Sequence, residues 1–119
     1  MAKVPRPSRG EVWQVRFDPS EGAEIRKVRP AVVVNVDSVG RLPLRIVVPV
    51  TDWKAHYVGF PWMIHLPTSP ANGLTKDSAA DAFQVKSVSE GRFIRRLGVV
   101  NGTQLDHIAG AIALCVGAP

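Results

Sequence analysis

Short apolar runs broken by glycine and proline occupy residues 11–100, and they restrict the fold more than any other feature. Trp13, Val15 and Phe17 alternate with polar side chains, which is typical of a half-buried strand. Ala31–Val34 is continuously apolar, as in a strand buried on both faces. Ten glycines and ten prolines in 119 residues exceed a background of roughly 12% for the two together. The pattern favours many turns and short strands over a helix bundle. Further strands are expected at 44–50, 60–66, 78–88 and 93–100.

Only the C-terminal end has helical periodicity. Thr103 and Asp106 have the spacing of a capping box, so we expect the helix to begin near Thr103. Gly110 weakens its interior and is expected to permit close packing, and Gly117 is a natural stop. The fold class predicted is a small, strongly bent β-barrel of five to seven strands, capped by this helix. The apolar stripe comprises Leu105, Ile108, Ala109, Ile112, Ala113 and Val116.

The length fits one domain with one core. Residues 1–9 hold two prolines and three basic side chains and are predicted to be a flexible leader, followed by a single domain over 10–117. No apolar run reaches the roughly 18 residues of a membrane span, and no signal peptide is recognisable, so we expect a cytoplasmic protein without a membrane partner. Cys115 is the only cysteine, which excludes disulfide scaffolds and multi-cysteine zinc sites.

The charge balance is basic. Fifteen Lys and Arg against ten Asp and Glu give a formal net charge of +5. Such a balance suits a polyanionic partner, most commonly a nucleic acid, although many small basic domains bind none.

The segment 22–30 (GAEIRKVRP) concentrates charge beside a glycine. Pro30 favours an extended backbone at Arg29, which fixes where that side chain leaves the strand. A guanidinium is permanently charged and bidentate, and it suits a phosphate whose charge grows in a transition state. The alternative is a solvated basic loop in which Glu24 pairs with Arg26 or Lys27.

Thr51 ends the third predicted strand, where its hydroxyl either donates to a phosphate or caps a turn. Beyond it, Trp53, Lys54, His56 and Tyr57 interleave aromatic and basic side chains. Unpaired bases stack on aromatic faces while cations hold phosphates, so the segment suits single-stranded nucleic acid. A protein-binding loop has the same composition, and both interpretations stay open.

Other chemical motifs are absent from the sequence. His65 and His107 show no spacing that favours an acid–base pair, and both are expected to be structural or exposed. There is no phosphate-binding glycine loop, no zinc-protease helix motif and no nucleophile elbow. No metal ligand set and no cofactor site is predicted.

A series of short segments nevertheless has a specific order and spacing. They are Arg9–Trp13 (RGEVW), Gly22–Glu24 (GAE), Arg29–Asn35 (RPAVVVN), Val48–Thr51 (VPVT), Leu74–Ser78 (LTKDS), Gln84–Val88 (QVKSV) and Leu97–Gly98. Together they resemble the MazF/PemK family of toxin–antitoxin ribonucleases, from Arg9 to about Gly117.

The resemblance implies an SH3-like barrel with a C-terminal helix, a homodimer, and a metal-independent endoribonuclease that cuts single-stranded RNA. In such enzymes the 2′-hydroxyl attacks the adjacent phosphate, which leaves a 2′,3′-cyclic phosphate and a 5′-hydroxyl. By resemblance, Arg29 and Thr51 are catalytic, and Glu24 is an acidic residue of the loop over the site. The residues then assigned to RNA binding are Arg26, Lys27, Trp53, Lys54, His56, Tyr57, Asp81, Phe83, Gln84 and Lys86.

One departure concerns the general base. Several family members carry an acidic residue before the glutamine of the Gln84–Val88 segment, where this chain has Phe83. Asp81 is the expected substitute for that carboxylate if the strand is regular. Alternatively, Phe83 stacks on a base. If Arg29 proved dispensable, the catalytic centre would be sought around Asp81 and His65.

Two other functions and one partner follow from the same residues. A CcdB-like gyrase-binding toxin shares the fold, but its aromatic C-terminal tail is absent here. A non-catalytic SH3-like module is favoured only if Arg29 and Thr51 lie apart. The cognate partner implied is an antitoxin whose acidic disordered segment is attracted by basic side chains and occludes the RNA groove. Those basic side chains are Arg26, Lys27, Lys54 and Lys86.

Overall fold

A computed structural model describes residues 6–40 and 42–119. It consists of seven strands followed by one α-helix, with three short 3₁₀ helices between strands. The predicted fold class, mainly β with a C-terminal helix, is confirmed. The strands are β1 (Glu11–Arg16), β2 (Val28–Val33), β3 (Leu44–Asp52), β4 (Met63–Leu66), β5 (Ser78–Asp81), β6 (Lys86–Ser89) and β7 (Phe93–Val99). The helix α1 is Gly102–Cys115, and the 3₁₀ helices are Ala55–Gly59, Ala82–Gln84 and Glu90–Arg92.

All strands pair antiparallel in the order β4-β5-β3-β2-β1-β7, with β6 beside the first half of β3. Within the described residues, no ladder joins β4 to β7, so the sheet is strongly bent and barrel-like without closing. Along one edge of β3, pairing with β6 ends at Val47 and pairing with β5 begins at Val50. Pro49 lies between these two ladders. A proline inside a long strand is tolerated at such a break in the ladder.

Both faces of the central strands are buried, which explains their continuous apolar sequence. On one face, Val12, Val32 and Val48 pack with Ile108 of α1. On the other, Trp13, Val15 and Phe17 pack with further side chains. That second group also contains Ala31, Val33, Val47 and Val88, with Ile25 and Phe93 packed against it.

Part of the predicted leader packs against the domain. Pro7 is buried, and the Arg45 Nε–H donates to its carbonyl oxygen at 2.9 Å. The Arg9 backbone N–H donates to Asp37 Oδ1 at 3.1 Å, and the Arg9 guanidinium donates to the Val34 carbonyl. Residues 7–9 therefore contribute contacts to the fold, whereas residues 1–5 lie outside the described range.

The helix begins at Gly102, next to the predicted start at Thr103, but its N-cap lies two residues earlier than predicted. Asn101 Oδ1 accepts from the Gln104 backbone N–H at 2.8 Å, and Gln104 Oε1 accepts from the Asn101 N–H at 3.1 Å. The capping box is thus Asn101–Gln104, and the prediction of Thr103–Asp106 is wrong because Thr103 already lies inside the first turn. Gly117 has φ +70 just after the helix, which confirms it as the stop.

The predicted strand over 78–88 is interrupted. It divides into β5 and β6, with a 3₁₀ turn at Ala82–Gln84 between them. Asp81 Oδ1 accepts from the Phe83 backbone N–H at 3.1 Å and so caps that turn. The assumption of a regular strand from Asp81 to Phe83 is therefore wrong.

Candidate active site

Strands β2 and β3 separate at one end, and a cavity opens between them. They pair only where Ala31–Val33 meets Val47–Pro49. Beyond that point Arg29 pairs with Val15 of β1, and Thr51 pairs with Ala79 of β5. The separated ends line a cavity of about 240 Å³ that includes both Arg29 and Thr51.

Arg29 and Thr51 lie at matching positions on the two strands. Ala31 is opposite Pro49, so the same register continued by two residues places Arg29 opposite Thr51. Side chains two residues apart in a strand share a face, and opposed residues on neighbouring strands share it as well. The two side chains predicted to be catalytic are therefore brought to one site. The non-catalytic SH3-like module was favoured only if Arg29 and Thr51 lay apart, and the two residues line the same cavity.

The guanidinium of Arg29 is available to a ligand. The residue is exposed, and within residues 6–40 and 42–119 it forms no ion pair. A solvent-facing guanidinium without a carboxylate partner retains its whole donor fork for an anion. Thr51 is half-buried beside it.

Two further cations of the same cavity were not predicted from the sequence. Arg95 reaches it from β7, because β1 lies between β2 and β7 and Gln14 pairs with both Pro30 and Arg95. Lys76 lines the cavity from the segment before β5 and lies 3.8 Å from Asp52 Oδ2. An arginine in an edge strand is usually solvated, so the sequence alone does not single out Arg95. The strand order shows that Arg95 lies near Arg29.

Glu24 occupies a second cavity, beside the first. This cavity measures about 440 Å³, and it lies under the β1–β2 loop. Pro49 contributes to its wall and precedes Thr51 by two residues, so both lie on one face of β3. One Glu24 oxygen accepts from the Glu21 backbone N–H at 2.7 Å within the loop. The lining residues are Ala23, Glu24, Ile25, Pro49, Phe83, Gln84, Val85 and Lys86.

Gln84 holds the β1–β2 loop over that cavity. Its Oε1 accepts from the Ile25 backbone N–H at 2.7 Å, and its Nε2 donates to Asp81 Oδ2 at 3.1 Å. Asp81 is buried, and each of its oxygens already accepts one hydrogen bond. Asp81 thus supports the loop and the 3₁₀ turn, while Phe83 is 71% exposed.

The aromatic segment after Thr51 forms a connected group of rings. Trp53 contacts Tyr57 edge-on at 5.8 Å between centroids, and Tyr57 contacts His56 at 4.8 Å. Trp53 also stacks on His65 at 4.1 Å with the planes 20° apart. His56 and Lys54 are exposed, and the segment begins two residues after Thr51.

The remaining predicted cations surround the two cavities. Arg26 and Lys27 are exposed on the β1–β2 loop, where an Arg26 guanidinium nitrogen donates to the Gly22 carbonyl at 2.9 Å. Lys27 has a φ of 62, an uncommon value for a residue other than glycine. Lys86 lines the second cavity, with its ammonium 6.0 Å from the Phe17 ring centroid. The site thus carries more positive than negative side chains.

Known proteins share both the sequence and the architecture. A family model described as the PemK-like, MazF-like toxin of type II toxin–antitoxin systems matches residues 8–116. The chain belongs to this family. It is 36% identical over 112 residues to Endoribonuclease MazF9 of Mycobacterium tuberculosis, covering 89% of this chain and 92% of that protein. It is 32% identical over 77 residues to the Endoribonuclease toxin ChpB of Escherichia coli, covering 62% and 66%.

Solved structures confirm the fold. The crystal structure of MazF from Deinococcus radiodurans superposes with a TM-score of 0.79 at 23% identity, covering 96% of this chain and 99% of that one. A mycobacterial endoribonuclease in complex with its cognate antitoxin superposes with a TM-score of 0.71 at 18% identity, covering 95% and 97%. The family resemblance and the SH3-like barrel that it implied are both confirmed.

Two further observations concern metal ions and membranes. Among the described residues, no three His, Cys, Asp or Glu side chains come together in a way that would hold a metal ion. No helix in that part of the chain is both long and apolar enough to cross a membrane.

Proposed function

We propose that this chain is the toxin of a toxin–antitoxin pair and a metal-independent endoribonuclease that cleaves single-stranded RNA, mRNA included, at a short sequence. The observation that carries the proposal is one cavity lined by Thr51, by cationic side chains and by Arg29, which forms no ion pair within residues 6–40 and 42–119. Its relatives named as endoribonucleases supply the reaction class.

The chemistry is an in-line displacement at phosphorus. The RNA 2′-oxygen loses its proton and bonds to the adjacent phosphorus, while the bond from phosphorus to the 5′-oxygen breaks and that oxygen takes up a proton. The products are a 2′,3′-cyclic phosphate and a 5′-hydroxyl. Arg29 donates two N–H groups to the non-bridging oxygens, whose charge grows in the transition state, and Thr51 donates its hydroxyl. No proton transfer is assigned to Asp81, because both of its oxygens already accept hydrogen bonds.

The second cavity extends the site along the RNA. Lys86 and Gln84 line it beside the exposed Phe83 ring, which offers a stacking surface for a base. Glu24 lies there as well, so it contributes to catalysis through the loop that holds the RNA rather than at the cut phosphate. Exposed Arg26, Lys27 and Lys54, together with the His56 and Tyr57 rings, bind RNA around these cavities.

Cleavage of a long single-stranded RNA in EDTA tests the proposal. The protein is expected to cut at a limited set of positions, and end analysis is expected to find 5′-hydroxyl and 2′,3′-cyclic phosphate termini. Mapping those ends also yields the recognition sequence. Absence of cutting in both EDTA and Mg²⁺ would contradict the function, and cutting in Mg²⁺ alone would contradict the mechanism.

The protein is proposed to act in the cytoplasm, where its antitoxin covers the RNA-binding surface. Arg26, Lys27, Lys54 and Lys86 present positive charge that an acidic, disordered segment can match. A peptide of that kind from the neighbouring antitoxin is expected to displace bound RNA in a competition experiment. Simultaneous binding of peptide and RNA would contradict occlusion.

A further inference from the structure

His65 lies on the face of the sheet that carries Thr51, although the proposed reaction uses no histidine. Ala79 of β5 pairs with Thr51 on one side and with His65 of β4 on the other. The three residues therefore form one row across three strands, with their side chains on one face. Two strand spacings place the Cα of His65 about 10 Å from that of Thr51, with the buried side chain of Ala79 in the middle of the row.

Two contacts hold the imidazole of His65. Its Nε2 lies 2.6 Å from Asp77 Oδ1, which fixes the plane of the ring. One ring face stacks on Trp53, with centroids 4.1 Å apart. The Trp53 backbone N–H donates to the Asp77 carbonyl at 3.0 Å, so the three residues brace one another.

The cluster leaves aromatic surface open to a ligand. The His65 side chain is 42% exposed although Trp53 covers one of its faces. A histidine paired with an aspartate and a tryptophan commonly belongs to a core, yet Asp77 is also 56% exposed. A braced, partly exposed ring in the same cross-strand row as Thr51 suits an unpaired nucleobase, because bases stack on aromatic faces.

We infer that His65, braced by Trp53 and Asp77, is the stacking platform for the nucleobase next to the phosphate held by Arg29 and Thr51. This inference rests on the proposed function for the identity of the ligand, single-stranded RNA. A base joined through its ribose to that phosphate spans the row from Thr51 to His65. His65 is therefore a positioning residue, which fixes the RNA relative to the reacting phosphate.

Binding of 2′-O-methylated single-stranded RNA tests the platform, because that RNA lacks the attacking hydroxyl and no cleavage is needed. His65→Ala is expected to weaken binding by about 5- to 150-fold, the range for loss of one stacked base. His65→Phe is expected to restore most of the affinity, since it keeps the ring. His107→Ala is the matched control, an exposed histidine on α1, and is expected to leave binding unchanged.

An abasic scan then locates the base on the mapped cleavage sequence. Removing the base beside the cut phosphate is expected to weaken binding by wild type as much as His65→Ala does, with no further loss when the two changes are combined. Equal affinity of wild type and His65→Ala, failure of His65→Phe to restore binding, or additive losses at every abasic position would each overturn the platform. Wild-type protein that binds RNA through His65 but never cuts it would instead contradict the proposed function alone.

Discussion

The Glu11 carboxylate links β1 to the segment before it and to the neighbouring strand β7. Its Oε1 accepts from the Ser8 backbone N–H at 2.7 Å and from Trp13 Nε1 at 3.1 Å, and its Oε2 accepts from Arg96 Nε at 2.8 Å. Burial alone would raise the pKa of Glu11, but the hydrogen bonds from Ser8, Trp13 and Arg96 outweigh it and lower the pKa. The ionised form is therefore bound more tightly in the folded state than in the unfolded chain.

This lowered pKa predicts how stability depends on pH. The contribution of Glu11 is complete above the unfolded pKa of about 4.3 and is lost as the pH falls through the lower, folded value. Glu11→Gln is expected to reduce the free energy of unfolding by about 1 to 3 kcal/mol at pH 7, with a smaller difference from wild type at pH 3. Urea titrations at several pH values measure this.

Glu21→Gln serves as the control for that series, since Glu21 is exposed on the β1–β2 loop. It is expected to follow wild type throughout. A difference between Glu11→Gln and wild type that stays constant from pH 7 to pH 3 would contradict the role given to the carboxylate.

The capping box of α1 can be tested against the one that the sequence favoured. Asn101→Ala removes the acceptor for the Gln104 N–H and is expected to lower the free energy of unfolding by about 1 kcal/mol. Thr103→Ala is the matched control, because Thr103 is exposed within the first turn and the N-cap is Asn101. Thermal unfolding of both variants measures the difference, and a larger loss for Thr103→Ala would reverse the assignment.

Two glycines in different elements have opposite expected responses to alanine. A Cβ at Gly98 in β7 would lie 2.2 Å from the Ala71 carbonyl oxygen and 2.6 Å from the Asn72 carbonyl carbon. Gly110 in α1 has nothing within 4 Å of an added Cβ, so the expectation that it permits close packing is wrong within the described chain.

Gly98→Ala is accordingly expected to be strongly destabilising, by more than about 2 kcal/mol. Gly110→Ala is expected to stabilise the protein by up to about 1 kcal/mol, because alanine is the better helix former. Denaturant unfolding of the pair checks both signs. A tolerated Gly98→Ala would contradict the close approach of β7 to the segment at Ala71–Asn72.

The strands that periodicity locates well are those whose environment is uniform along their length. Trp13, Val15 and Phe17 alternate regularly, and β1 was predicted to within one residue. Residues 78–88 carry a similar density of apolar side chains, but the carboxylate of Asp81 captures the Phe83 N–H and bends the chain. A local side-chain hydrogen bond of this kind competes with the ladder and leaves no periodic signal.

At the scale of the molecule, the sequence predicted the pair at the site but not its full surroundings. Arg29 before Pro30 and Thr51 at a strand end are local features, and the structure places them in one cavity. Arg95 and the His65 row depend on which strands become neighbours, a property of the topology that no single segment contains. Glu24 was placed correctly on its loop, yet that loop covers the neighbouring cavity.

We predict that the chain forms a homodimer. Exposed apolar side chains lie near the C-terminal end of α1 and on the 3₁₀ helices Ala55–Gly59 and Ala82–Gln84. A second copy of the chain would bury these side chains. They include Val58, Phe83, Leu114 and Val116. Sedimentation at micromolar concentration is expected to show a species of about 26 kDa, twice the 12.9 kDa of one chain. A species of single-chain mass alone would contradict it.

Single-turnover cleavage by Arg29→Ala, at saturating RNA in EDTA, tests whether Arg29 stabilises the transition state. Loss of a preorganised donor to the developing oxyanion is expected to slow the chemical step by about 10²- to 10³-fold, while the far-ultraviolet circular dichroism stays unchanged because Arg29 is exposed. Arg29→Lys is expected to recover part of the rate, since an ammonium keeps the charge but loses the fork. Thr51→Ala is expected to lose less, because a neutral hydroxyl is the weaker donor.

Arg6→Ala is the matched control, an exposed arginine outside both cavities, and is expected to cut at the wild-type rate. Of Arg29→Ala and Arg6→Ala, only Arg29→Ala is expected to lose two or more orders of magnitude in cleavage rate while the protein stays folded. Cleavage by Arg29→Ala at near the wild-type rate would contradict this expectation and would remove Arg29 from the reaction.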